Sequence, residues 1–166
     1  MRKLPVIIAV LVLAAAGIGW GAWRHHVFNE SKVLHPVNRA DFESDMTEAL
    51  VRQTFGELQK EHPTFFFLAF GEQSTPPSGE FLGRFQNLQP GVKSFRASVR
   101  PPNGLVLDQA TGRTGALFQV IKIVPYIAGE YDVTVTLQQS GSAKKYFVCR
   151  MAAADGGWRM KNHSPA

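Results

Sequence analysis

Residues 115–139 read GALFQVIKIVPYIAGEYDVTVTLQQ. Two long runs rich in β-branched and aromatic residues flank Ala128-Gly129, a pair suited to a tight turn, so this stretch is predicted to be a β-hairpin. The same period-two texture fills the chain after Pro90-Gly91. It starts in SFRASVR, where Phe95, Ala97 and Val99 alternate, continues through GLVLD, and resumes past the hairpin in KKYFVCRMA and GWRMK. Turn chemistry separates the runs: Pro101-Pro102-Asn103-Gly104, Asp108 to Gly112, Ser140-Gly141-Ser142 and Asp155-Gly156-Gly157. A meander of antiparallel strands is the expected result.

Toward the N-terminus the period changes. EFLGRFQNL places Phe81, Leu82 and Phe85 on one helical face, with Ser78 or Ser74 as cap, and predicts a short helix. TFFFLAFG, residues 64–71, is a continuous apolar run that suits a buried strand or a short buried helix, which periodicity does not separate, and is read as a strand. Asp41 opens the longest predicted helix, FESDMTEALVRQTFGELQKEH, with Glu43 and Asp45 in its first turn and a stop at His62-Pro63. Phe42, Met46, Ala49 and Leu50 fall on one side of it, and Val51, Phe55 and Leu58 on a second, nearly opposite side. A helix so broadly apolar is expected to lie in the concave face of a bent sheet. The predicted class is therefore α+β, a long helix packed on a curved antiparallel β-sheet over residues 41–166.

That layout resembles the cystatin-like and NTF2-like folds. PSGEFLGRF at 77–85, VLDQATGRTGALFQV at 106–120 and DGGWRMK at 155–161 also resemble a group of small uncharacterised bacterial proteins that join an N-terminal apolar anchor to a helix-then-antiparallel-sheet domain. Pro125 before Tyr126 departs from their pattern. The resemblance implies no activity, and no catalytic, cofactor or metal residue carries over.

LPVIIAVLVLAAAGIGWGAW, residues 4–23, is uncharged and long enough as a helix to span about 30 Å, one bilayer core. Arg2 and Lys3 before it favour a cytoplasmic N-terminus, and Trp20 and Trp23 sit where an interfacial aromatic belt belongs. The segment is read as a single-pass transmembrane signal-anchor with a lipid bilayer as its partner. Residues 24–40 are then a linker and residues 41–166 an exported, periplasmic domain on the inner (cytoplasmic) membrane. The alternative is a cleaved signal peptide and a secreted domain, using small residues such as Ala14 and Ala16.

Composition restricts the function classes. With 45% hydrophobic and only 19% charged residues the chain is a folding sequence, not a disordered one. One cysteine, Cys149, excludes an internal disulfide framework and cysteine-rich zinc sites. Its neighbours Phe147 and Met151 share its strand parity, which predicts burial. Setting Arg2 and Lys3 aside lowers the formal charge from +5 to +3, and no basic run exceeds Lys144-Lys145, so nucleic acid is not an expected partner.

Candidate chemistry is sparse. Asp108-Gln109-Ala110-Thr111-Gly112 places a carboxylate and a hydroxyl together, but the spacing equally suits a turn in which Asp108 accepts backbone N–H groups and Gly112 takes positive φ. His25, His26 and His35 lack the face sharing and carboxylates of a metal site. His62 suits a helix C-terminus, and His163 lies in the tail. No nucleophile elbow, P-loop, dinucleotide fingerprint or HExxH motif occurs. Asp108, Asp132, Tyr126 and Tyr131 are placed near the rim of any pocket between helix and sheet, and Phe65, Phe66, Phe67 and Phe70 serve either as core or as an apolar cavity lining. The leading functional reading is a non-catalytic interaction or assembly module that docks to a protein partner or to itself. The alternative is a ligand-binding or hydrolytic domain using a cavity between helix and sheet, without cofactor or metal.

Overall fold

The computed structural model describes residues 39–61, 65–89, 91–127 and 129–165. Its centre is β1 (Phe65–Phe70), the apolar run FFFLAF, buried along nearly its whole length. A strand with no polar face must be covered on both sides, and that pattern belongs to strands with parallel neighbours. β1 indeed pairs parallel with β2 (Val92–Ser94) on one side and with β5 (Gly115–Pro125) on the other. From β5 the sheet continues antiparallel through β6 (Glu130–Gln139), β7 (Lys145–Ala154) and β8 (Gly157–Pro165), giving the order β2-β1-β5-β6-β7-β8. Gly129 and Gly156 sit at φ +76 and +80 in the two outer hairpin turns, where an L side chain would be strained.

Parallel pairing requires a crossover. Between β1 and β2 it contains a short helix, α3 (Gly79–Gly83), capped by Ser78, whose Oγ accepts from the Phe81 N–H. Between β2 and β5 the chain makes a 3-10 turn (Phe95–Ala97) and a two-stranded antiparallel ladder of β3 (Ser98–Val99) with β4 (Leu107–Asp108). Two earlier helices, α1 (Arg39–Phe42) and α2 (Asp45–Glu61), precede the sheet.

Strand parity divides the core. Phe66, Leu68 and Phe70 join Ala116, Phe118, Val120, Val133 and Val135 beneath Met46, Leu50, Val51 and Phe55 of α2. Phe67, Ala69 and Leu117 point to the other face, where Val106, Phe95 and Ala97 cover them. Phe55 meets Phe66 edge-on at 4.9 Å and Phe81 meets Phe70 at 5.7 Å, so aromatic rings fill the first-strand end of the helix interface.

These elements correct the expected α+β layout of a long helix on a curved antiparallel sheet, and with it the NTF2-like or cystatin-like description. The described chain is mostly β, 46% strand against 22% helix, with short helices. The helix expected from Asp41 is broken at Glu43-Ser44, because the Glu43 carboxylate turns away to accept the Ser78 N–H and hydroxyl, each at 2.7 Å. Ser44 then takes over as cap, its carbonyl accepting from the Glu48 N–H at 3.0 Å. The apolar residues of α2 share one core with Phe81, Phe85 and Leu88 of the α3 segment as well as with the sheet, which accounts for the breadth of its apolar surface. Beside them Arg84, after α3, pairs with Asp45 at 2.9 Å and Glu48 at 3.3 Å. The sheet is mixed, not an antiparallel meander, and SFRASVR forms a 3-10 turn with a two-residue strand where alternation implied a full strand.

The membrane reading is corrected as well. Among the described residues no helix is long and apolar enough to cross a membrane. The longest, α2, has 17 residues and carries charges along its length. The transmembrane signal-anchor assigned to residues 4–23 lies outside the described residues, as do His25, His26, His35 and His62. The single-pass inner-membrane location, with residues 24–166 periplasmic, therefore has no support from the fold.

Candidate functional site

The second half of α2 presents Thr54, Glu57 and Leu58 at i, i+3 and i+4, one helical face directed at the sheet. Opposite it stand Phe118 of β5, Val135 and Leu137 of β6, and Phe147 and Cys149 of β7, each pair sharing strand parity. Together with Met160 and His163 of β8 they line a cleft of about 180 Å³ between helix and sheet. The aromatic packing stops short of this end. Phe42, Phe55, Phe66 and Phe70 fill the space near β1, whereas Thr54, Glu57 and Leu58 leave the space toward β6–β8 open.

Met160 and His163 are three residues apart and would face opposite sides of a regular strand. They share a side because the register shifts between Arg150 and Met151: Met151 pairs with Met160, Arg150 with Asn162 and Cys149 with His163. The extra residue, Lys161, makes a bulge that reverses parity. His163 thereby comes directly opposite Cys149 and edge-on to Phe147, with ring centroids 6.1 Å apart.

The polar groups of the cleft differ in availability. The Thr54 hydroxyl donates to the Leu50 carbonyl at 2.9 Å, so only its lone pairs face outward. Glu57 is exposed and makes no ion pair with another described side chain. Cys149 is buried, and that burial, reinforced by the negative charge of Glu57, pushes its thiol up to about 11. Near neutral pH the thiol stays protonated, which withholds the thiolate that nucleophilic catalysis requires. No group of three or more His, Cys, Asp or Glu side chains among the described residues is placed to hold a metal ion.

The residues expected near a pocket rim do not converge on this cleft. Asp108 is buried at the other face, where its carboxylate accepts from Lys93 Nζ at 2.9 Å, the Thr111 N–H at 3.1 Å and the Thr111 hydroxyl at 2.7 Å. Those hydrogen bonds, from Lys93 first and then Thr111, hold its carboxyl below the usual carboxylate range. Gly112, at φ +67, donates its N–H back to the Asp108 carbonyl at 2.8 Å, so the cluster is a turn anchor. Asp132 forms a two-pronged pair with Arg150 at 2.9 and 3.1 Å, and the Arg150 guanidinium lies 3.4 Å above the Tyr126 ring. Tyr131 packs edge-on against Trp158. Phe65, Phe66, Phe67 and Phe70 are distributed over the two cores, not around a cavity. Thr54, Glu57 and His163 were not expected at a site. The i, i+3, i+4 spacing marks the first two as neighbours, but nothing local marks the bulge that delivers His163.

No protein-family model, curated protein or solved structure matches the chain.

Proposed function

We propose that this chain is a non-catalytic binding domain whose helix–sheet cleft takes a small apolar ligand. One observation carries the reading: six apolar side chains, Leu58, Phe118, Val135, Leu137, Phe147 and Met160, surround about 180 Å³ left unfilled beside a core packed with phenylalanine. An apolar cavity of about 150 Å³ suffices to bind benzene. The protonated thiol of Cys149 supports binding over covalent chemistry. Benzyl alcohol titrated into the full chain is expected to shift the methyl NMR signals of Leu58, Leu137 and Met160, and Leu137→Trp, which fills the cleft, is expected to abolish the shifts. Unmoved methyl signals at millimolar probe would overturn the proposal.

A second reading, an interaction module that self-associates, is favoured by three large exposed side chains on the sheet and its hairpin tip: Tyr126 at 48%, Ile127 at 62% and Tyr146 at 49% of full exposure. Sedimentation velocity of the full chain discriminates. A dimer lost on Ile127→Ser supports it, and a monomer at every concentration excludes self-association.

A further inference from the structure

Resting on the cleft as a ligand site, we infer that its occupant is a small apolar cation, a ring or short chain ending in an ammonium group, with the cation held against Glu57 at the mouth and the apolar body among Leu58, Phe118 and Val135. The helix wall of the cleft offers acceptors only. Glu57 contributes a carboxylate, and Thr54, one turn before it, has already donated its single proton to the Leu50 carbonyl at 2.9 Å. An ammonium brings three N–H donors and no acceptor, so it complements both groups at once, whereas a ligand carboxylate would meet two acceptors and a like charge.

Two described cations of α2 and β8 are engaged elsewhere. Arg52, five residues before Glu57 on α2, is committed to Glu48 at 2.8 Å and to the Arg84 carbonyl. Lys161, the bulge residue of β8, is committed to Glu130 at 2.6 Å. Among the described residues no Lys or Arg lines the cleft, and its one imidazole, His163, stands on the β8 wall. Glu57 also lies in the last part of α2, where the partial negative charge of the helix end adds to its own. The field of this carboxylate reaches the floor, since it is one of the two causes that disfavour ionisation of Cys149. The volume of the cleft matches an apolar body of about one aromatic ring.

Three isosteric probes test the charge preference: benzylammonium, benzyl alcohol and benzoate, titrated calorimetrically into the full chain and into its Glu57→Gln variant. Glu57 is exposed, so the variant is expected to fold like the parent. Benzylammonium is expected to bind about tenfold more tightly than benzyl alcohol, in keeping with one charge-assisted hydrogen bond, and benzoate most weakly. In Glu57→Gln the amine and the alcohol are expected to bind alike, with the alcohol unchanged. If the alcohol equals or exceeds the amine, or if the amine keeps its advantage in Glu57→Gln, the cation inference fails while the apolar cleft stands. If none of the three binds, both readings fail.

Discussion

At Gly115 the backbone of β5 runs so close to β1 that a Cβ built there would overlap the Phe67 ring and lie 2.9 Å from the Phe65 carbonyl oxygen. Neither neighbour can retreat, because Phe67 is fully buried and Phe65 is held in the parallel ladder. Gly115→Ala is therefore expected to destabilise the fold by about 2 kcal/mol, the usual cost of overpacking, read as a lower urea midpoint with unchanged slope. Asp108 makes a second prediction at this scale. Its folded carboxyl titrates below its ordinary value, so the stability it contributes is present above the ordinary carboxylate range and is lost as pH falls through the lower folded value. Asp108→Asn is expected to cost about 2 kcal/mol at neutral pH by weakening its charge-assisted bonds, and to flatten the acid limb of stability. Urea midpoints of both proteins between pH 2 and 7 check this, and parallel acid limbs would contradict it. The turn around Asp108 was readable from Asp, Thr and Gly at their spacing. Its partner Lys93 was not, since fifteen residues of chain separate the two.

Among the elements, α2 and β8 are joined by a device that neither segment announces. β8 is an edge strand, and edge strands leave unpaired backbone groups. The Gln53 carboxamide on α2 meets two of them, donating to the Trp158 carbonyl at 3.3 Å and accepting from the Met160 N–H at 3.0 Å, as a neighbouring strand would. Gln53→Ala is expected to cost about 1 kcal/mol and to speed hydrogen exchange at the Met160 amide, with the amides of β6 unaffected. Unaltered exchange at Met160 would show that the contact contributes nothing. Element identity was largely readable in advance: the long strands of the β5–β8 meander and the Ser78-capped helix follow from local period and turn chemistry, whereas the apolar run at Phe65–Phe70 suits a strand or a buried helix alike and is decided by its parallel partners. The exceptions have a common cause. The break before α2 is made by Glu43 reaching Ser78, and at the 3-10 turn Phe95 and Ala97 pack against the Phe67 cluster while the Ala97 carbonyl accepts from the Gln109 N–H, so a distant partner overrides the local pattern in both.

For the whole molecule, the burial of Cys149 on the floor of the cleft sets an alkaline limit. The thiol is pushed from an ordinary 9.0 up to about 11, so the unfolded chain ionises first and stability should fall between those pH values while staying level below 9. The loss across that window is on the order of 2 kcal/mol. Cys149→Ser is expected to remove this component of the alkaline slope, and wild-type and variant midpoints that decline in parallel from pH 9 to 11 would contradict it. The sequence by itself determined where strands, turns and capped helix ends fall and that Cys149 is buried, because those features depend on residues a few positions apart. Only the tertiary structure decided that β1 takes parallel neighbours on both sides, that each sheet face has its own core, and that an extra residue at Lys161 carries His163 to the Cys149 side. Strand pairing and register join residues tens of positions apart, and a single inserted residue reverses every side chain beyond it, so no local period records either the pairing or the cleft it leaves under Glu57.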